Sequence, residues 1–140
     1  MVKVNILDCT LRDGGYYNSW HFSPSTVNAY IDALSESSVT HIELGFRFIK
    51  QDKNLGKFAF TTEEHLNSID FPGNQQLGVM INGDEYLNSE DPCSLIAKYF
   101  LPAKSSKISF VRIAIDLVSA PKAKILIDCL DDLGYEVMLN

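Results

Sequence analysis

The chain has 140 residues, 46% of them hydrophobic and 21% charged, with a formal net charge of −6. That length fits one domain able to bury a core, and that balance describes a folded globular chain rather than a disordered one. An excess of Asp and Glu over Lys and Arg argues against the basic face of a nucleic-acid binder, and no apolar run approaches the roughly 18 residues of a membrane span.

Residues 2–7 read as a short buried strand of aliphatic and β-branched side chains. The run Asp8-Cys9-Thr10-Leu11-Arg12-Asp13-Gly14-Gly15 begins where that strand ends. In parallel α/β proteins the C-terminal strand edge is where ligands bind, because loops and helix N-termini converge there. Two aspartates, an arginine and two glycines can place a cation, an anion clamp and bare backbone in one small volume. The following Tyr16-Tyr17-Asn18-Ser19-Trp20-His21-Phe22 lacks helical periodicity and predicts an aromatic loop over the strand ends. Trp20 and Phe22 equally suit a role as core plugs.

Ser23-Pro24 predicts an N-cap and first helical position, with the helix running to about Ser37 and burying Val27, Tyr30, Ile31 and Leu34. The second strand, 41–46, alternates Ile42, Leu44 and Phe46 with His41, Glu43 and Gly45, so its polar face carries an acid. Residues 47–60 form a long loop bearing Arg47, Lys50, Lys53 and Lys57, either a contact for an anion or an exposed basic loop. Thr61 and Glu64 predict a capping box opening a short helix with Leu66 and Ile69. A third strand, 77–82, leads to a polar loop, 82–90, and Asp91-Pro92 caps a helix carrying Leu95, Ile96, Tyr99 and Phe100. A fourth strand, 108–116, sets Ile113 and Ile115 against Arg112, Ala114 and Asp116. Pro121 starts the last helix, Gly134 stops it, and a fifth strand sets Val137 and Leu139 against Glu136, Met138 and Asn140.

Strands alternating with helical patterns predict an α/β fold with right-handed parallel crossovers. A strand covered by helices on both faces should be nearly all apolar. The shared polar face therefore fits the interior of a barrel, whose last layer can form a site. The expectation is one domain, 1–140, holding the first five strands of a (β/α)8 barrel cut slightly past its middle.

Thr10-Leu11-Arg12-Asp13-Gly14 after the first strand, with Ile42-Glu43-Leu44-Gly45-Phe46 on the second, resembles the DRE-TIM metallolyases, the group of hydroxymethylglutaryl-CoA lyase, the 4-hydroxy-2-oxovalerate aldolases and the isopropylmalate synthases. The glycine pair and the Tyr-Tyr-Asn run resemble the aldolase-type catalytic domains of that group. The resemblance implies a carbon–carbon lyase stabilising an enolate, with Asp13 as metal ligand, Arg12 on the enolate oxygen and Glu43 supporting Arg12. A Claisen-type acyltransferase is the alternative within the same barrel family. Tyr16 stands where those aldolases carry a histidine, leaving the acid or base open, and Asp8, Asn82 and Arg112 are candidates for substrate contacts.

Hard oxygen ligands imply magnesium or manganese in the complete enzyme. The family's His-x-His pair on its sixth strand is not among these residues, so a metal is expected to be weak or absent in this fragment, and the fragment inactive by itself. His21, His41 and His65 are expected to be structural or solvated. The alternative for Arg12 and Asp13 is a salt-bridged strand terminus. Glu43 and Arg112 could instead be a pair filling a barrel layer, with Asp8 and Glu136 in the same network.

A flavodoxin-like or receiver-like binding module is the alternative from another class, although Asn82 replaces the aspartate a receiver needs after its third strand and no lysine follows the fifth. A structural half-barrel acting through a partner is a third reading. The expected partners are an oxo-acid or acyl substrate, with no nucleic acid or membrane, and either self-association or the remainder of the barrel. Cys9, Cys93 and Cys129 are widely spaced, match no zinc spacing and cannot all pair; with no charged-then-apolar leader, the expected location is cytoplasmic.

Overall fold

Five strands lie side by side, all parallel and in sequence order: β1 (Leu7–Asp8), β2 (His41–Phe46), β3 (Gln76–Asn82), β4 (Phe110–Ala114) and β5 (Glu136–Leu139). The computed structural model describes residues 4–140. Helices α1 (Thr10–Asn18), α2 (Pro24–Ser35), α3 (Glu63–Asn67), α4 (Gly83–Leu87), α5 (Pro92–Tyr99) and α6 (Ala123–Asp132) fall between the strands. A doubly wound module places its second strand outside its first, so the sequence-ordered sheet rules out the flavodoxin-like and receiver-like alternative. Arg112 on β4 reaches Cys9, just beyond β1, at 3.4 Å although β2 and β3 intervene. Strands are spaced by about 4.8 Å, so the sheet must curl. It remains open, with β1 and β5 at its edges, which is the arrangement of part of a (β/α) barrel.

The predicted first strand is shorter than its apolar pattern implies. Val2 and Lys3 lie outside the described residues, and ladder pairing is confined to Leu7 and Asp8. Val4 and Ile6 are exposed because β1 is an edge strand with no neighbour on its other side. Ile42, Leu44, Val79, Ile81, Val111 and Ile113 are fully buried and join one apolar cluster with Leu66, Ile96, Leu126 and Leu130 from the helices.

Local capping positions the helices. The Ser23 hydroxyl accepts from the Thr26 N–H at 3.1 Å and Asp91 accepts from Ser94 at 3.0 Å, each ahead of a proline at the first helical position. The α3 cap is Thr62, which accepts from His65, rather than the predicted Thr61. Thr61 instead has a positive φ of 36° and is fully buried, its carbonyl accepting from Arg47 Nη2 at 2.7 Å. Arg47 itself is 2% exposed, held also by the Tyr99 carbonyl and Glu63 and stacked on Phe100. It is therefore not part of an exposed basic loop, as its neighbourhood of lysines implied; it pins the outer helical layer to β2.

Two further segments read from sequence as loops are helical. Residues 16–18 complete α1, and 83–87 form α4, capped by Asn82, whose side chain accepts from Asp84. Among the described residues, no helix is long and apolar enough to cross a membrane. Cys93 on α5 and Cys129 on α6 form a disulfide with Cα atoms 5.5 Å apart, leaving Cys9 free. That pairing runs against the reducing setting inferred from cysteine spacing, because disulfides are rare in cytosolic proteins. Thiol titration of the denatured, unreduced chain is expected to find one free cysteine, and breaking the bond by Cys93→Ser is expected to lower unfolding stability by about 2–4 kcal/mol in a denaturant titration.

Candidate functional site

The site begins with an irregularity in β2. Glu43 pairs with Gly78 and Gly45 with Val79, so one extra residue is inserted between them. Such a bulge shifts the side-chain alternation by one. Phe46 pairs with Met80 and so shares the inner face with Glu43, whereas strict alternation assigns it to the outer face. Gly45 is needed at the bulge: a Cβ there would lie 2.0 Å from the Phe58 carbonyl oxygen and 2.7 Å from the Thr61 hydroxyl. An isolated glycine in a strand is the sequence signal for such a kink.

Helix α1 then brings Arg12 over the strand ends. The Asp8 carboxylate accepts from the Thr10 N–H at 2.9 Å and from the Thr10 hydroxyl at 3.1 Å, closing the turn into the helix. Gly15 of α1 serves packing rather than a ligand, since a Cβ there would strike the Trp20 indole at 2.0 Å. Trp20 Nε1 donates to the Arg12 carbonyl at 3.0 Å, so the aromatic segment after α1 braces the backbone that carries Arg12.

Glu43 is fully buried and is shared by two guanidinium groups. Arg12 Nε donates to Oε1 at 2.6 Å, and Arg112 Nη1 donates to both carboxylate oxygens at 3.0 Å. Arg112 also reaches Cys9 Sγ and the Asn140 side-chain oxygen. Arg12 Nη1 donates to Asp13 at 3.1 Å, while its Nη2 makes no hydrogen bond among the described residues. Burial opposes the Arg12 charge, but the Glu43 contact outweighs it and raises the guanidinium pKa. Burial, followed by the nearby Glu43 charge, pushes the Cys9 thiol up, so Cys9 is held as a thiol rather than an activated nucleophile.

A cleft of about 410 Å³ opens above this cluster. Arg12 lies on its floor, Tyr16 and Phe48 form an apolar wall with Phe46 behind them, and Asn82, Asp84 and Asp116 line other parts. Arg12 and Tyr16 are one turn apart on α1, which puts them on one helix face. Of the residues singled out in the sequence, Arg12, Tyr16 and Asn82 border the cleft, and Glu43 and Arg112 lie beneath it as the charged support. Asp13 is 69% exposed at its side chain and touches Arg12 from the solvent side. Asp8 is drawn away to Tyr30, whose hydroxyl donates to it at 2.5 Å; burial, then that carboxylate, raises the Tyr30 pKa. Glu136 pairs with Phe110 at the start of β5, at the opposite end of the sheet, and is not in the Glu43 network. Phe46, Phe48, Cys9 and Asn140 were not foreseen as site residues.

The histidines do not meet in this region. His41 starts β2 and bonds Thr40, His21 contacts the Asn54 carbonyl, and His65 lies on α3 against Phe58. Burial and Lys57 lower the His65 pKa. Among the described residues, no three His, Cys, Asp or Glu side chains are grouped to hold a metal. Asp13 supplies one exposed carboxylate already bonded to Arg12, so these residues do not fit a divalent metal centre on their own.

No protein-family model matches the chain, and no curated protein does. Among solved structures it is similar to the N-terminal domain of "a putative aldolase from Bacteroides vulgatus", with 33% identity and a TM-score of 0.85 over 98% of this chain and 44% of that one. The chain thus spans less than half of that N-terminal domain, which it matches over nearly all of its own length.

Glu43→Gln removes the buried charge that pairs with two part-buried cations, so denaturant unfolding is expected to show a loss of about 3–5 kcal/mol. For Cys9, the midpoint of the alkylation rate against pH is expected to lie higher in the folded protein than in the same thiol of the unfolded chain, because a raised pKa leaves less thiolate at any given pH.

Proposed function

We propose that the chain is the N-terminal part of the catalytic barrel of an aldolase-type carbon–carbon lyase of the DRE-TIM kind, in which the complete protein cleaves a hydroxy-oxo acid through an enolate. The observation that carries this reading is the Arg12–Glu43–Arg112 cluster at the C-terminal strand edge, beneath an open cleft. The likeness to the N-terminal domain of a protein described as an aldolase supports it.

In such a cleavage a base takes the proton from the hydroxyl two carbons from the carbonyl. The carbon–carbon bond between them breaks, an aldehyde leaves, and the bonding pair moves onto the carbonyl oxygen as an enolate. Arg12 is anchored through Nε, and its Nη2 makes no hydrogen bond among the described residues, so it can meet that oxygen without reorganising. Glu43 is fully buried and acts as a positioning residue: it fixes the Arg12 fork and offsets its charge. Tyr16, beside Arg12 on the cleft wall, is the residue placed to exchange a proton with the reacting hydroxyl. No step is assigned to a metal, since the residues present do not form a centre for one.

The fork geometry matters as much as the charge, because lysine cannot reproduce a bond from Nε while presenting further N–H groups. In the full-length protein, Arg12→Lys is expected to lower kcat by about 100-fold or more for release of the 2-oxo acid product, with circular dichroism unchanged. Near-normal turnover in that variant would refute the assignment.

A further inference from the structure

The cleft above Arg12 is two-faced, and its two faces have different chemistry. Phe46 and Phe48 stack with their rings 4.4 Å apart and 15° from parallel, and Tyr16 and Trp20 meet Phe46 edge-on at 6.1 and 5.7 Å. This wall is rigid because Trp20 is buried behind it and also meets Phe48 edge-on. Arg12 Cζ lies 5.9 Å from the Phe46 centroid, so a carbonyl held by Arg12 would carry groups two or three bonds further on into contact with the aromatic face. On the remaining border stand Asp84 and Asp116. Arg12 is the one cationic side chain lining the cleft among the described residues; Arg112 is engaged with Glu43, Cys9 and Asn140.

We infer that this cleft selects a monoanionic oxo acid bearing an aryl or bulky apolar group, and discriminates against substrates with a second anionic group at the distal end. The inference rests on the lyase reading and gives it a substrate class. The apolar group gains by covering the half-buried Phe48 and exposed Tyr16 rings, while a distal carboxylate or phosphate would meet Asp84 and Asp116, with no cation among the described residues of the cleft to pair with. The lysines at 50, 53 and 57 do not alter this: none of them lines the cleft.

The single tryptophan reports on the wall. In the full-length protein, Trp20 fluorescence titrated with 2-oxo-4-phenylbutyrate, 2-oxobutyrate and 2-oxoglutarate is expected to rank them in that order. The phenyl compound should bind about tenfold or more tightly than 2-oxobutyrate, the gain from burying much of one aromatic ring. Phe48→Ala should reduce that ratio to about one, and Asp116→Asn should bring 2-oxoglutarate closer to 2-oxobutyrate. Equal affinity for 2-oxo-4-phenylbutyrate and 2-oxobutyrate overturns the inferred selectivity and leaves the lyase reading standing. Tighter binding of 2-oxoglutarate also overturns the selectivity alone. Failure of all three to bind removes both.

Discussion

A carboxylate with no access to water sits between two guanidinium groups, and the inner face of this sheet is arranged to make that tolerable. Moving an isolated carboxylate into such a place costs several kcal/mol, so Glu43 is stable only while Arg12 and Arg112 reach it. One comes from a helix after β1 and the other from β4. The segment after β1 and the more distant β4 are thus tied through an acid on β2, and the curl of the sheet is what lets both arginines arrive. Replacing the acid with an apolar residue could match this stability. A buried ion pair is therefore weak evidence for a stabilising role and better evidence for a positioning one.

The neighbouring layer shows the same logic on the outer face. Arg47 is as inaccessible as a core leucine, yet it donates to two backbone carbonyls and Glu63 while stacking on Phe100. Burial lowers its pKa, but the pairing keeps an arginine charged. The bulge at Gly45 separates the buried acid from this buried cation, sending Phe46 inward with Glu43 and Arg47 outward. One inserted residue thus decides which side of β2 builds the cleft and which anchors the helices.

Much of this was legible in the sequence because it is local. Ser23-Pro24 and Asp91-Pro92 announce helix starts through chemistry that acts within four residues, and the strand-helix alternation identifies a parallel sheet. The juxtaposition of Arg12 with Glu43 came from a resemblance; no periodicity could have supplied it. Failures occurred where tertiary contacts override local pattern. Strict alternation misplaced Phe46 because a period-two count cannot see a bulge, although Gly45 marks it. Arg47 read as a loop cation because three lysines follow it, while the acceptors that bury it, at Thr61 and Tyr99, are distant in sequence. The two glycines of α1 read as bare backbone for a ligand, whereas the Trp20 indole occupies the space beside Gly15.

The sequence-ordered sheet has a consequence for how the molecule comes into being. Each strand adds to the edge left by the one before it, so a chain emerging N-terminus first can dock every new βα unit onto an existing template, with only short-range searches. The charged cluster does not follow that schedule. Arg112 meets Glu43 across a sequence separation of 69 residues, and until β4 is laid down the acid has Arg12 alone. The scaffold can therefore assemble piecewise during synthesis, whereas the chemistry-bearing centre consolidates late, as a checkpoint on the completion of the fourth strand.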